Sequence, residues 1–308
     1  MTRPVATVVV VARDRWTGTA ERLQTLLGAT DPRHPVVVVA GAVPTPVRNG
    51  ITAVADRVEN PVTVVEHRAF LPGNVARNLG ARGAEGEWLA FVENDVVLDH
   101  GWLDTLLDRA EATAADVVYP AYLQPHADGP KVHGLGAELE LRGPEGARHL
   151  IERQHHLGRR WADVAPHAEE AERVQSEPHC FVMRRSLHDE LGGLDEQLLG
   201  WFDHTDLGLH VLERGARSRM VPAVTCLYVP PPPLARSDFR SFATRWGRPW
   251  YEASLARICD TWGLDPDGPG WAAHATYRFA VQTSVPTPWR RMNRVLARAT
   301  APRQHPPA

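Results

Sequence analysis

Two carboxylates two residues apart, Glu93 and Asp95, follow directly on the apolar run Trp88–Val92, and hydrophobic sequence resumes at Val96. Carboxylates at alternate positions of an extended segment can face the same side, and open α/β sheets bind ligands just beyond the carboxyl ends of their strands. Such a pair suits a hard divalent cation that bridges two phosphates, because phosphate and water oxygens complete its shell. The spacing suits equally a strand-end turn in which Asp95 caps the backbone. A second cluster, Asp203-His204-Thr205-Asp206, sets an imidazole between carboxylates, and it also reads as a helix start with Asp203 as N-cap and Asp206 three residues on. Trp201-Phe202 precedes it, either as an aromatic platform for carbohydrate C–H surfaces or as core. Glu177 and His179 stand just before another apolar run, where His179 reads equally as a site residue and as a hydrogen-bonded core histidine. His155 and His156 lie in a polar stretch and read as non-ligands.

These groups need a scaffold, and the hydrophobic pattern supplies one. Short apolar runs at Ala6–Val11, Val36–Val39, Val62–Val65 and Trp88–Val92 alternate with helical or loop sequence, including a helix over Asn74–Ala84. That alternation predicts an α/β fold with a mostly parallel sheet covered on both faces. Asp116–Tyr119 offers a fifth strand. The Gly/Pro/His-rich stretch Pro120–Gly146 then predicts a loop or a small antiparallel excursion. Cys180–Met183 reads as a strand, Arg185–Leu191 as a short helix, Gly192-Gly193 as a turn, and Thr205–Arg214 as a helix. The proline run at 230–233 must be extended, so we expect a catalytic domain over 1–235. A Trp- and Arg-rich, mostly helical extension would follow over 236–308, carrying Trp246, Trp250, Trp262, Trp271 and Trp289. Within it, Trp289–Ala299 forms an apolar stripe flanked by arginines, which suits docking on the domain's own surface or peripheral contact with a membrane.

Composition narrows the class. The chain has 308 residues, 43% hydrophobic and 23% charged, with net charge −3. This is ordinary for a globular protein and gives no general attraction to nucleic acid. Cys180, Cys226 and Cys259 are far apart and odd in number, which argues against a disulfide framework or a zinc cluster and for a reducing, cytoplasmic location. The apolar run after Met1 reads as a strand rather than a leader, and there is no run of about 18 apolar residues for a membrane span. Neither a P-loop nor a G-x-G-x-x-G follows the first strand, which counts against a nicotinamide-dependent dehydrogenase. The sequence leaves the oligomeric state open.

Four short motifs occur in one order: Asn74-Val75-Ala76-Arg77-Asn78-Leu79-Gly80, Glu93-Asn94-Asp95, Gly192-Gly193-Leu194-Asp195-Glu196 and Asp203-His204-Thr205-Asp206-Leu207. Over residues 5–235 the chain resembles the family 2 glycosyltransferases, in a bacterial subgroup with Glu-Asn-Asp in place of Asp-x-Asp. The resemblance implies a GT-A fold, a Rossmann-like sheet with helices on both faces. It also implies a nucleotide-sugar donor of UDP, GDP or dTDP type, and a glycan, lipid-linked or small-molecule acceptor. Carried over by position, it makes Asp95 the ligand of Mn²⁺ or Mg²⁺ and Glu93 a contact to the donor's ribose or sugar. Arg77 and Asn78 then form a donor wall, and Ala12, Arg13 and Asp14 border the nucleotide. Asn94 is left as a spacer. Glu177, His179 and Trp201 are expected on the acceptor side.

The sequence departs from the family pattern twice. Ala40-Gly41-Ala42 follows the second strand where the family has a base-recognising Asp. Asp203-His204 replaces Glu-Asp, so the general base is expected to be His204 or Asp203, while Asp206 falls to the helix start. The reaction implied is inverting glycosyl transfer. Three rivals are a binding module without turnover, an interaction scaffold that binds no nucleotide, and a nucleotidyltransferase, although Ala12-Arg13-Asp14-Arg15 is no Gly-rich phosphate loop.

Overall fold

A computed structural model describes residues 6–175, 177–229 and 233–268. The predicted tail helix Trp289–Ala299 and Trp271 lie outside these residues, as does most of the proline run. The apolar runs form β1 (Ala6–Val11), β2 (Val36–Gly41), β3 (Val62–His67) and β4 (Trp88–Glu93). Between them run α1 (Thr19–Ala29), α2 (Thr45–Ala55) and α3 (Gly73–Arg82). Then follow β5 (Val96–Leu98), α4 (Trp102–Thr113), β6 (Val117–Gln124), β7 (Lys131–Gly134), β8 (Ala137–Arg142), β9 (His149–Gln154) and α5 (Trp161–Val164). The order ends with β10 (Ala171–Glu172), β11 (Cys180–Arg184), α6 (Arg185–Glu190), α7 (Asp203–Arg214), β12 (Ser218–Tyr228), α8 (Phe239–Arg245) and α9 (Arg248–Trp262).

The main sheet runs β10-β12-β6-β11-β4-β1-β2-β3. The half formed by β4, β1, β2 and β3 is parallel, as expected of wholly apolar strands, whereas β11 is antiparallel to both β4 and β6. The stretch after residue 120 takes the antiparallel alternative: β6 runs on to Gln124 and pairs with β7, and β8 pairs with β9 in a separate ribbon. β1 has β2 on one side and β4 on the other, so the chain reverses its strand order there. A crevice opens at such a switch point, beyond the carboxyl ends of β1 and β4. Ala12–Asp14 leave β1 at this crevice and Glu93–Asp95 leave β4.

Gly80 sets how closely α3 lies on the sheet. A Cβ at that position would stand 2.3 Å from Val9 Cγ1 and 3.1 Å from Val39 Cγ2. The glycine of the first motif is therefore a packing requirement, and it fixes the height of Arg77 and Asn78 above β1.

A second apolar cluster joins α7 to the C-terminal helices through Trp201, Phe202, Phe242, Trp246, Tyr251, Ile258 and Trp262. Trp262 Nε1 donates to Asp206 Oδ1 at 2.8 Å. No helix among the described residues is long and apolar enough to cross a membrane.

Candidate active site

Sheet register brings the first two site residues together. Cys180 pairs with Val92 across the antiparallel β11–β4 ladder, so the residue before β11, His179, faces the last residue of β4, Glu93. The Glu93 amide donates to the His179 carbonyl at 2.8 Å. Their side chains meet as well, with His179 Nδ1 2.7 Å from Glu93 Oε2.

Arg77 enters the same knot from α3. It is 1% exposed and lies beneath the crevice. One guanidinium nitrogen donates to Asp203 Oδ2 (2.9 Å) and Asn74 Oδ1 (3.1 Å), the other to Glu93 Oε1 (3.1 Å) and the Pro178 carbonyl (3.0 Å). Arg77 thus ties the end of β4 to the start of α7. Asn78, one position on, accepts from the Leu194 amide at 2.9 Å and donates to the Leu194 carbonyl at 2.8 Å. That pairing clamps the Gly192–Glu196 turn onto α3.

The two carboxylates of Glu93-Asn94-Asp95 have opposite environments. Burial raises the proton affinity of Glu93, but the His179 hydrogen bond and the charges of His179, Arg13 and Arg77 outweigh it and hold Glu93 below the ordinary range. Asp95 is slightly more open, and its ion-pair partner is Arg13, whose Nη1 is 3.6 Å from Asp95 Oδ2. Burial, reinforced by the charge of Glu93, pushes it up to about 6. Among the described residues, neither Asp95 Oδ1 nor Arg13 Nη1 has a hydrogen-bond partner, and both are buried. Burial works against the charge of Arg13, yet Tyr228, Asp95, Glu93 and Asp14 hold it firmly protonated. Arg13 and Asp95 therefore form an ion pair at the crevice in which each keeps one buried atom without a hydrogen bond. Glu93, Asp95 and His179 offer ligand atoms within 4.8 Å of one another, so the donor set fits a divalent cation.

Asn94 is more than the expected spacer. Its amide donates to the Arg15 carbonyl (2.8 Å) and Thr19 Oγ1 (2.6 Å), and its oxygen accepts from the Arg13 amide (3.2 Å). It thereby stitches the loop after β1 to the loop after β4 and sets where Arg13 stands.

The Asp203 cap reading is corrected by the geometry. The helix begins at Asp203 itself, and the cap position is Phe202, held at φ 63°. Its ring packs with Tyr251, at a centroid distance of 5.7 Å. A bulky residue adopts the left-handed region only where its surroundings enforce it. Asp203 turns to Arg77 instead, and its other oxygen lies 3.6 Å from His204 Nδ1. Burial opposes the ionised carboxylate, but His204, Arg77 and Arg245 hold Asp203 far below the usual range. His204 is the more open of the two, with 22% of its side chain exposed against 7% for Asp203. Burial lowers its proton affinity, yet Asp203, Glu177 and Glu152 together raise it.

Several site residues carried no sequence signal. Arg245, at the end of α8, is packed over the rings of Trp201 (4.9 Å) and Trp246 (4.7 Å), and its Nη1 is another buried nitrogen with no hydrogen-bond partner among the described residues. Burial and the repulsion of Arg13 push it down to about 10, against the pull of Asp203, Glu93 and Asp14. Gly200 (φ +84°) makes room for it, since a Cβ there would meet Arg245 Nε at 2.8 Å. Trp246 Nε1 donates to Asp14 Oδ2 at 2.9 Å, and Asp238 accepts from the Trp16 amide at 2.9 Å. The loop after β1 is thus held by residues more than 200 positions away. Ala12 is buried at the end of β1. Trp201, expected as platform or core, is 5% exposed and edge-on to both Trp246 and Tyr251.

Comparison with known proteins bears on the family and the fold. The model of Glycosyl transferase family 2 matches residues 7–192, more than half of the chain. A pre-mycofactocin glycosyltransferase of Mycobacterium tuberculosis is 29% identical over 163 residues, 52% of this chain and 31% of that protein. The O-antigen biosynthesis protein RfbC of Myxococcus xanthus is 29% identical over 148 residues, 46% of this chain and 11% of that protein. The chain therefore spans about a third or less of the length of these relatives. Among solved structures, GalNAc-T7 with UDP, GalNAc and Mn²⁺ aligns with TM-score 0.57 at 13% identity, over 90% of this chain and 54% of that one. The mannosyltransferase PcManGT of Pyrobaculum calidifontis, with GDP-Man and Mn²⁺, aligns with TM-score 0.57 at 17% identity, over 97% of this chain and 75% of that one. At such identities the likeness concerns the fold, which is that of the GT-A glycosyltransferases. With the family model covering both the Arg77 helix and the Glu93-Asn94-Asp95 strand end, the chain belongs to glycosyltransferase family 2.

Proposed function

We propose that the chain transfers a sugar from a nucleoside-diphosphate donor to an acceptor hydroxyl, with a divalent metal at Asp95 and inversion at the anomeric carbon. One observation carries the reading: Asp95 Oδ1 and Arg13 Nη1, buried side by side, are both without hydrogen-bond partners among the described residues. A metal-bound diphosphate would satisfy both, and the solved relatives with UDP or GDP-Man and Mn²⁺ support that pairing. When bound there, Mn²⁺ or Mg²⁺ supplies Lewis-acid neutralisation of the charge that develops on the leaving diphosphate.

Each residue then has a separate task. Asp95 and Glu93 hold the ion, and His179 Nδ1–H keeps Glu93 turned toward it. Arg13 and Arg245 bring fixed positive charge to the diphosphate from the β1 loop and from α8. Ala12 and Asp14 border the nucleoside. The cleft lined by Ala40, Ala42, Arg48, Glu66, His67 and Arg68, beyond β2 and β3, takes the base in place of the missing Asp. Arg77 and Asn78 position this wall from below rather than touching the donor. On the acceptor side, His204 is the general base, because Asp203 is buried and too weakly basic to take a proton near neutrality. Asp203 orients the imidazole and stabilises its protonated form, Glu177 borders the acceptor hydroxyl, and Trp201 belongs to the core. The acceptor oxygen gives its proton to His204 as it attacks opposite the diphosphate.

The test is a donor screen with Mn²⁺. UDP-, GDP- and dTDP-sugars are each added to the chain, and melting temperature and released nucleoside diphosphate are read together. One donor class is expected to raise the melting temperature and to be turned over. Stabilisation without any release, with every acceptor tried, would reduce the chain to a binding module. No response to any donor would overturn the reading.

A further inference from the structure

Beside the donor crevice a second group of ligating side chains converges, His133, Glu177 and His179, in which the mechanism gives His133 and the outer nitrogen of His179 no part. The β6–β7 ladder pairs Leu123 with Val132 but Tyr122 with Gly134, so His133 is the extra residue of a β-bulge. A bulge re-aims a side chain that regular pairing would send elsewhere, and here His133 turns onto His179. Their Nε2 atoms are 3.4 Å apart. Tyr228 stacks against both rings, with centroids at 6.1 Å and 5.1 Å and planes within 23° and 20°. Glu177 offers a carboxylate oxygen, and the three ligand atoms lie within 4.8 Å of one another.

We propose that His133 Nε2, His179 Nε2 and a Glu177 carboxylate oxygen form a second cation site, distinct from Asp95, for a tetrahedral divalent ion of zinc type. The spacing matches: two imidazole nitrogens at about 2.0–2.1 Å from one tetrahedral metal stand about 3.3–3.4 Å apart. Two nitrogens and one oxygen select a borderline ion, whereas Mg²⁺ and Ca²⁺ take all-oxygen shells. The far side of the His179 ring is already arranged for ligation. His179 Nδ1 faces Glu93 at 2.7 Å, a carboxylate–histidine pairing that keeps the proton on Nδ1 and the lone pair on Nε2. His133 Nδ1 lies 2.8 Å from Gln124 Nε2, and a half-turn of that amide brings its oxygen to accept the Nδ1 proton and leaves the lone pair on Nε2. An ion there would pin the bulge, the Glu177–His179 segment and Glu93 into one unit, and so fix the orientation of the donor-site carboxylate without touching the donor.

Co²⁺ is the probe, because its tetrahedral complexes absorb strongly in the visible and its octahedral, oxygen-rich complexes do so weakly. The full chain is titrated with Co²⁺ as wild type, Asp95→Asn, His133→Ala and His133→Gln, with circular dichroism to verify folding. One equivalent is expected to give the tetrahedral spectrum in the wild type and in Asp95→Asn. Both His133 variants are expected to bind at least 100-fold more weakly. The proposal is overturned if the wild type gives no tetrahedral spectrum, if the spectrum disappears in Asp95→Asn, or if the His133 variants keep it. Should the His133 variants not fold, the Asp95→Asn protein alone decides: its tetrahedral spectrum must persist.

Discussion

Replacing Arg77 by Met keeps most of the side chain's volume and removes the charge that joins β4 to α7. Four hydrogen bonds disappear, two of them to the carboxylates of Glu93 and Asp203. Charge-assisted bonds contribute about 1.5–3 kcal/mol each, and breaking a buried ion pair by removing one partner costs about 3–5 kcal/mol. Glu93 keeps His179 and Arg13, and Asp203 keeps His204 and Arg245, so the lower part of that range, about 3–4 kcal/mol, is expected at pH 7. Against a typical total of about 5–15 kcal/mol, the variant folds but is markedly weakened. The assay is urea denaturation of wild type and variant in chelator from pH 7 to pH 4. In the wild type both carboxylates have lowered proton affinity, so their stabilisation is complete above the unfolded carboxylate range and is lost progressively as pH falls from there toward their folded pKa values. In the variant they take up protons more readily than in the wild type, which relieves the buried charge as pH falls. The difference between the proteins should therefore narrow toward pH 4. A destabilisation below about 1 kcal/mol at pH 7, or a gap that widens on acidification, would refute the ion-pair account of Arg77.

Two other perturbations probe the packing and the base. Gly80→Ala forces a methyl group into Val9 and Val39, and overpacking of this kind costs about 1–3 kcal/mol; an unchanged denaturation midpoint would contradict the close approach of α3. For the base, kcat/KM should rise with pH around a midpoint above 6.5, the side to which Asp203, Glu177 and Glu152 move His204. His204→Gln should lose about 10²- to 10⁴-fold in rate, while Asp203→Asn should retain turnover and move that midpoint down. Loss of the limb in Asp203→Asn, with His204→Gln still active, would transfer the base role to Asp203.

In the parallel half of the sheet β1, β2 and β4 were legible because strands buried on both faces must be apolar throughout, and the half-exposed edge strand β3 by its valine-rich start. The excursion after residue 120 was legible only as one of two alternatives, because β6 contains Pro120 and then continues, with β12 irregular opposite it between Val221 and Thr225. Within the site, Glu93, Asp95 and Arg77 could be found from motif order. Their mutual geometry could not, since the contact of Arg77 with Asp203 spans 126 positions. Asn94 was underrated because its work lies in hydrogen bonds to another loop, which no spacing announces. The cap role of Phe202 was missed because a left-handed cap at a non-glycine residue leaves no mark in composition. Arg245, Trp246 and Asp238 come from helices with no motif of their own, and only tertiary packing brings them to the β1 loop. His133 depends on a one-residue bulge, which shifts a side chain without changing the pattern around it.

The central claim is that Asp95 holds a metal through which the diphosphate is bound. Calorimetric titration of UDP and GDP into wild type and Asp95→Asn, with and without Mn²⁺, tests it most directly. Mn²⁺ should tighten binding of one nucleotide to the wild type by at least tenfold, about 1.4 kcal/mol, and leave its affinity for the variant unchanged. Equal tightening in Asp95→Asn would contradict the account.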